Sequence, residues 1–360
     1  MDGNRLTVFC KPEVTAKGAA LRTICSLLLG CLCWLNVALA DEQTLPSFTL
    51  GGLLFGDLYT VPSHHSQEGD GATGLVLRRG YATLDGKFTE NWFGRVRFEL
   101  NQSGEFETYS FDLQIKDLYL GWDLGRQGRH RLMVGLSPTP TFDLIESIWG
   151  KRYLARTPMD LQGVASRDTG VSVKGPLNAS GSLSYRFMMG TKVEIGDESD
   201  DFQKWMGAIS WKPAPNWVLD LYIDYQGFSG PTDNSTIQGF IAYQDEQRAW
   251  GLQYSNQDRE EDAPLELAST FFRTRVADKT TLIGRIDRLF EPSPRADDIA
   301  YLPYDPSAKA TTLFAGVEYE ANPHFFITPN IVYTRYDKND EGYRPESDLH
   351  LRVTMFIDFE

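Results

Sequence analysis

All four cysteines, Cys10, Cys25, Cys31 and Cys33, fall near the start of the 360-residue chain, and none follows. That excludes a disulfide framework or thiol chemistry from the rest of it. Beyond residue 40 there is no run of about 18 apolar residues, so no helix long enough to cross a bilayer is available. No stretch sustains a 3.6-residue apolar period, and no Gly-rich phosphate cradle occurs. Basic residues are in deficit, with 35 Lys and Arg against 49 Asp and Glu for a formal charge of -14. Nucleic acid is therefore not an expected partner. The five histidines are scattered: His64 and His65 share one polar connection, His130 and His324 stand at turns, and His350 begins the last apolar stretch. That dispersal argues against a Ser–His hydrolase, and His64 and His65 are expected to point apart into solvent, so neither metal nor cofactor is expected.

The first forty residues are of another kind. A basic region ends at Arg22, an apolar run covers Ile24 to Ala38, and Ala38-Leu39-Ala40 precedes Asp41. Residues 1–40 therefore read as a secretory signal peptide, with Leu28 to Cys31 a competing lipoprotein-type box, and residues 41–360 as one exported domain.

From Phe48 onward the pattern has period two. About sixteen strand candidates follow one another to residue 359. Their connections alternate strictly between short turns rich in Pro, Asn, Gly and Asp, and longer polar stretches. Short turns at one rim and long loops at the other are the mark of a transmembrane antiparallel β-barrel, the one fold besides a helix that satisfies its backbone in lipid. One face of each strand is apolar, as at Leu219, Leu221 and Ile223, and meets outer-membrane lipid. The other is polar, as at Asp220 and Asp224, and lines a wet lumen where Asp220 should tolerate arginine. Parity breaks near Lys116 and before Arg78, where β-bulges are expected. Aromatics including Trp92, Trp122, Trp205, Trp217 and Trp250 are expected in a girdle where strands meet the short turns. The chain adds Glu360 after the outward Phe359.

The longest connection, Ser137 to Arg167, is the third of the long class and is too aromatic to be disordered. It reads as a loop folded into the barrel, with Phe142, Ile145, Ile148, Trp149 and Tyr153 to bury. Asp143, Glu146, Lys151, Arg152 and Arg156 would set up a field across the constriction, with Arg79, Arg95, Arg97 and Arg131 contributed by the wall. Wall carboxylates such as Asp85, Glu99 and Asp117 leave two readings open, an anion-favouring arginine ladder and a set of cross-strand ion pairs.

Arg78 to Phe88, Lys116 to Trp122, Gly135 to Pro140, Glu146, Arg152-Tyr153, Arg156 and Arg167 to Gly170 together resemble the phosphate-selective porin O and P family, over roughly Leu75 to Lys174. The resemblance implies a sixteen-stranded homotrimer with an inward third loop and cationic residues along an anion path. The expected function is an outer-membrane porin passing small hydrophilic solutes or ions, with an anion bias. A barrel that binds or adheres through its loops, and an outer-membrane hydrolase, remain the alternatives.

Overall fold

The computed structural model describes residues 46–102, 111–125, 129–191, 204–227, 234–259, 263–299 and 301–359. The expected leader, the connections at 103–110, 192–203, 228–233 and 260–262, and Glu360 lie outside the described residues. Sixteen strands follow in order: β1 (Ser47–Ser63), β2 (Thr73–Lys87), β3 (Trp92–Gln102), β4 (Phe111–Leu124), β5 (His130–Pro138), β6 (Arg167–Pro176), β7 (Leu183–Gly190), β8 (Lys204–Trp211), β9 (Trp217–Gln226), β10 (Asn234–Gln244), β11 (Arg248–Arg259), β12 (Leu265–Ala277), β13 (Thr280–Leu289), β14 (Ala310–Asn322), β15 (Phe325–Tyr336) and β16 (Asp348–Phe359). Each pairs antiparallel with its sequence neighbours, and β1 pairs with β16 to close the barrel. Closure leaves no edge, so backbone N–H and C=O groups find partners within the wall.

Turn chemistry fits the short connections. Asn216, ahead of β9, adopts φ 69, a left-handed conformation that asparagine accepts more readily than most residues. Burial alternates along the strands with period two. In β9, Trp217, Leu221, Ile223 and Tyr225 are exposed on the outer face, whereas Val218, Asp220, Tyr222 and Asp224 are buried on the inner one.

That alternation carries a prediction. Leu221, 54% exposed, faces outward. Leu221→Arg is expected to cost about 2–4 kcal/mol of folding free energy in a bilayer, because a charge near the midplane of the outer face has no water. Urea unfolding in liposomes measures it, and a variant as stable as the parent would put Leu221 on the wrong face. The expected tolerance of Asp220 is overturned: its carboxylate accepts two hydrogen bonds of 2.9 Å from Arg186 and another from Ser210. An arginine there would lose that pairing and meet a like charge.

Both expected bulges are present. The β1–β2 register slips between Phe55 and Asp57, and the β3–β4 register slips between Arg97 and Phe98. The extra residue in β2 buries Arg78 alongside Arg79. In β4 it lets Lys116 reach Glu99 at 3.0 Å while its neighbour Asp117 accepts from Arg167 at 2.5 Å. A bulge re-aims a side chain, and here it doubles the cations available on one inner patch.

Trp92 and Trp122 stack with rings 5.2 Å apart, and Trp217 meets Trp250 edge-on at 6.3 Å, all on the short-turn side of the outer face. These form the expected girdle. Trp205 does not belong to it: it lies at the long-connection end of β8, beside Phe187, and so marks the opposite rim.

Candidate constriction site

Between β5 and β6 the chain forms two helices that the strand-and-loop reading did not contain, α1 (Pro140–Trp149) and α2 (Pro158–Leu161). Pro140 opens α1, where a missing N–H costs nothing, and Asp143 places a negative charge in the first turn. Gly150 ends it in a left-handed conformation, φ 61, returning its N–H to the Glu146 carbonyl. Phe142, Ile145, Ile148 and Trp149 fall on the buried side of this ten-residue helix.

Those side chains pack on inner-face residues of strands spread around the wall. Ile145, Ile148, Trp149, Tyr153 and Leu154 share one apolar cluster with Phe55 of β1, Val218 of β9, Phe240 of β10 and Phe271 of β12. Trp149, 1% exposed, lies 5.1 Å from the Phe271 ring and donates its indole N–H to the Ala155 carbonyl at 2.8 Å. Tyr153 stacks on Phe356 of β16 at 4.7 Å. Met159, Leu161 and Val164 join a second cluster with Leu265, Leu289, Phe314 and Val332. Truncating so buried an indole typically costs about 3–5 kcal/mol. Trp149→Ala is therefore expected to loosen the segment and speed tryptic cleavage at Lys151, Arg152 or Arg156 while the strand wall stays folded. Unchanged cleavage would remove Trp149 as its anchor.

A second segment, between β13 and β14, joins the first, although it reads as a long polar connection. Ser293 donates to Gln162 at 2.7 Å, and Ile299, Leu302 and Tyr304 sit in the cluster of Met159 and Leu161. The Tyr301 hydroxyl donates to the Arg78 carbonyl and meets the Asn101 side-chain oxygen at 3.0 Å. Its backbone adopts φ 70, unusual for tyrosine. The legible signal was aromatic content, Tyr301 and Tyr304 in an otherwise polar stretch.

Arginines of the wall hold both segments. Arg78, ion-paired to Asp57 at 2.6 Å, also donates to the Tyr153 carbonyl. Arg285, paired with Asp287, donates to the Arg156 carbonyl, and Arg352 donates to the Tyr301 carbonyl. These three guanidiniums therefore act as latches on main-chain carbonyls, which a parity count of lumen arginines does not distinguish from solute-facing ones.

The nine expected site residues divide into groups. Arg79, Arg152 and Arg156 line one small cavity, together with Arg78, Arg352 and Tyr301. It measures about 30 Å³, room for roughly two waters. Glu146 touches this group through Arg152, at 3.4 Å, but the closer partner of Arg152 is Asp160, at 2.8 Å. Burial works against ionisation of both acids. At Glu146 it prevails and raises the carboxyl, whereas at Asp160 the adjacent Arg152 and Arg156 outweigh it and hold the carboxyl well below its usual range. Asp160 was missed because it stands two residues after Pro158 in what reads as loop. Lys151 is taken up by Glu318 at 2.6 Å. Arg79 pairs with Glu99 at 2.9 Å and Arg97 with Asp117 at 3.4 Å. Arg156 forms no salt bridge with any of the described residues.

Arg95, Arg131 and Asp143 stand apart from the cavity. Arg95 pairs with Asp85 at 2.7 Å near the start of β3. Arg131 pairs with Asp123 at 2.8 Å near the start of β5, and Asp143 accepts from Lys174 at 2.9 Å. Arg131 and Asp143 line a cleft of about 500 Å³ toward the short-turn rim. A cleft of about 330 Å³ beside Arg167, Lys204 and Arg259 opens toward the long-connection rim. The wall thus consists largely of cross-strand ion pairs, the second of the two readings left open by the sequence.

The histidines also depart from expectation. His64 and His65 stack at 4.2 Å instead of pointing apart, and His350 meets His64 edge-on at 5.8 Å. A tight bend after β1 and the β1–β16 pairing bring them together, a contact between the two ends of the domain that no local pattern reveals. Burial, with lesser contributions from the neighbouring imidazoles, lowers the pKa of His64 against the pull of Asp348.

No protein-family model matches the sequence, and no curated protein matches it. Solved structures do match its fold. An anion-selective porin from Comamonas acidovorans superposes with a TM-score of 0.61 at 14% identity, covering 87% of this chain and 100% of that one. The outer membrane channel DcaP of Acinetobacter baumannii gives 0.65 at 9% identity, with 89% and 99% covered. A trimer form of the Vibrio cholerae outer membrane protein OmpT gives 0.57 at 12% identity, with 88% and 100% covered. At these identities the likeness is one of fold.

Proposed function

We propose that the chain is an outer-membrane porin, a channel through which small hydrophilic solutes and ions diffuse passively. The observation that carries this reading is the closed sixteen-strand barrel whose outer face is an apolar belt and whose inner face is charged. A wall of that polarity suits lipid outside and water inside. A solved anion-selective porin and a solved outer membrane channel share the fold. On this reading residues 1–40 are a cleaved export signal, and the 139–166 interval folds into the lumen as the constriction. The spread of its contacts over β1, β2, β9, β10, β12, β13 and β16 supports that.

An anion bias is supported by the excess of arginines at the small cavity and by likeness to a porin described as anion-selective. Assignment to the phosphate-selective porins, and assembly as a homotrimer, extend the same reading; a fold relative described as a trimer supports the latter. Among the described residues the charged side chains of the site are arranged in pairs and latches. The test is purified, refolded protein in a planar bilayer: discrete conductance steps are expected. A folded barrel that seals the membrane and binds ligands through its loops would instead favour the adhesion reading. Chemical cross-linking in detergent reads the oligomer.

A further inference from the structure

At the long-connection rim, where the first and last strands meet, His64, His65 and Asp348 each bring one ligating atom within 4.8 Å of the others. We propose that these three residues bind a single divalent transition-metal ion of the zinc class, clasping the seam of the barrel. Two imidazole nitrogens with one carboxylate oxygen suit zinc and its first-row neighbours, whereas calcium and magnesium take oxygen donors.

The surroundings are built to hold these donors. His64 is 3% exposed and Asp348 is fully buried, so solvent does not compete for the carboxylate. The His65 backbone N–H donates to Asp348 at 2.7 Å, and the Tyr336 hydroxyl donates to its other oxygen. The Ser66 hydroxyl lies 2.9 Å from His64 Nδ1. A Cβ at Gly69 would come within 2.5 Å of the His64 ring, so glycine there lets the connection close over it. Outer partners of this kind fix the orientation of the carboxylate and the ring. In the metal-free arrangement His65 Nδ1 is hydrogen-bonded to Asp348 at 3.0 Å. Metal entry replaces that bond: the Nδ1 proton passes to water, a neutral ring takes one back at Nε2, and the Nδ1 lone pair and the carboxylate both turn to the ion.

The location gives the site a purpose beyond the channel. Ser63 pairs with Leu349 at the end of the β1–β16 ladder, and its hydroxyl donates to the Ser347 carbonyl at 2.8 Å. An ion bound by the next two residues of the first connection and the first residue of β16 would pin that connection to the last strand. Closing the seam ties the two ends of the domain, the contact with the longest sequence separation in the fold.

The experiment is calorimetric titration of refolded, untagged protein with Zn²⁺, with Co²⁺ absorption as a second readout. One ion per chain is expected, with a rise in the thermal midpoint on Zn²⁺ addition. His65→Gln and Asp348→Asn should each weaken binding at least tenfold, and His130→Gln and His324→Gln should leave it unchanged. His64→Gln serves as a further ligand variant should either fail to fold, with far-UV circular dichroism as the folding control. Absence of stoichiometric binding by the parent protein, or equal binding by folded ligand variants, would overturn the site.

Discussion

Deleting Phe142–Met159 is expected to raise single-channel conductance several-fold while leaving the barrel folded. The strands flanking the interval do not depend on it, since β5 and β6 pair directly from Arg131 and Lys174 through Pro138 and Arg167. A closed wall keeps its ladder of hydrogen bonds whatever stands inside it. The deletion removes Trp149 and Tyr153 from Phe271 and Phe356, and it removes the carbonyl acceptors of Arg78 and Arg285. Both arginines keep their carboxylate partners, Asp57 and Asp287, so no uncompensated buried charge remains in either pair. The segment between β13 and β14 loses its contacts with Met159 but keeps the Tyr301 hydrogen bonds to Arg78 and Asn101, so on the porin reading the path should widen without becoming an empty cylinder. Conductance in a planar bilayer checks this. A folded deletion variant that conducts like the parent would show that the interval does not restrict the path.

Most of the wall was legible in the sequence because its signals are local. Period-two alternation places each strand, Pro and Asn mark the short turns, and a break in parity locates a bulge to within a residue or two, as at Lys116 and Arg78. The interior was less legible because its contacts are not local. Whether Arg285 faces water or a main-chain carbonyl depends on where residue 156 arrives from another part of the chain. Helix α1 was hidden because ten residues give under three turns of pattern, and its apolar side is completed by Phe271 and Phe240 from distant strands. The histidine cluster shows the same limit more sharply, since residues 64 and 348 are neighbours only once the barrel has closed.

Replacing Arg152 and Arg156 together with Ala is expected to move the reversal potential toward cations, and by more than replacing Arg79 and Arg97. Each pair removes two cations, so the difference lies in what is uncovered. Without Arg79, Glu99 keeps Lys116 at 3.0 Å, and without Arg97, Asp117 keeps Arg167 at 2.5 Å. Without Arg152, Asp160 and Glu146 both lose their bonded cation, so the loop pair exchanges a cationic rim for an acidic one. Arg156 has no salt bridge among the described residues, and the carboxylate that acts on it, Asp160, is bonded to Arg152 at 2.8 Å. A unit charge about 5 Å from a passing ion, at an effective dielectric of about 20, is worth roughly 3 kcal/mol before screening. Half of that is already about a tenfold change in relative permeability. Burial, with Arg79 beside it, pushes the Arg156 pKa down to about 10, and the guanidinium remains charged at neutral pH. Reversal potentials for both double variants in one salt gradient at neutral pH distinguish the cases. A loop-pair shift no larger than the wall-pair shift would remove Arg152 and Arg156 from the selective point, and no shift in either would leave a pore without charge selection at this site.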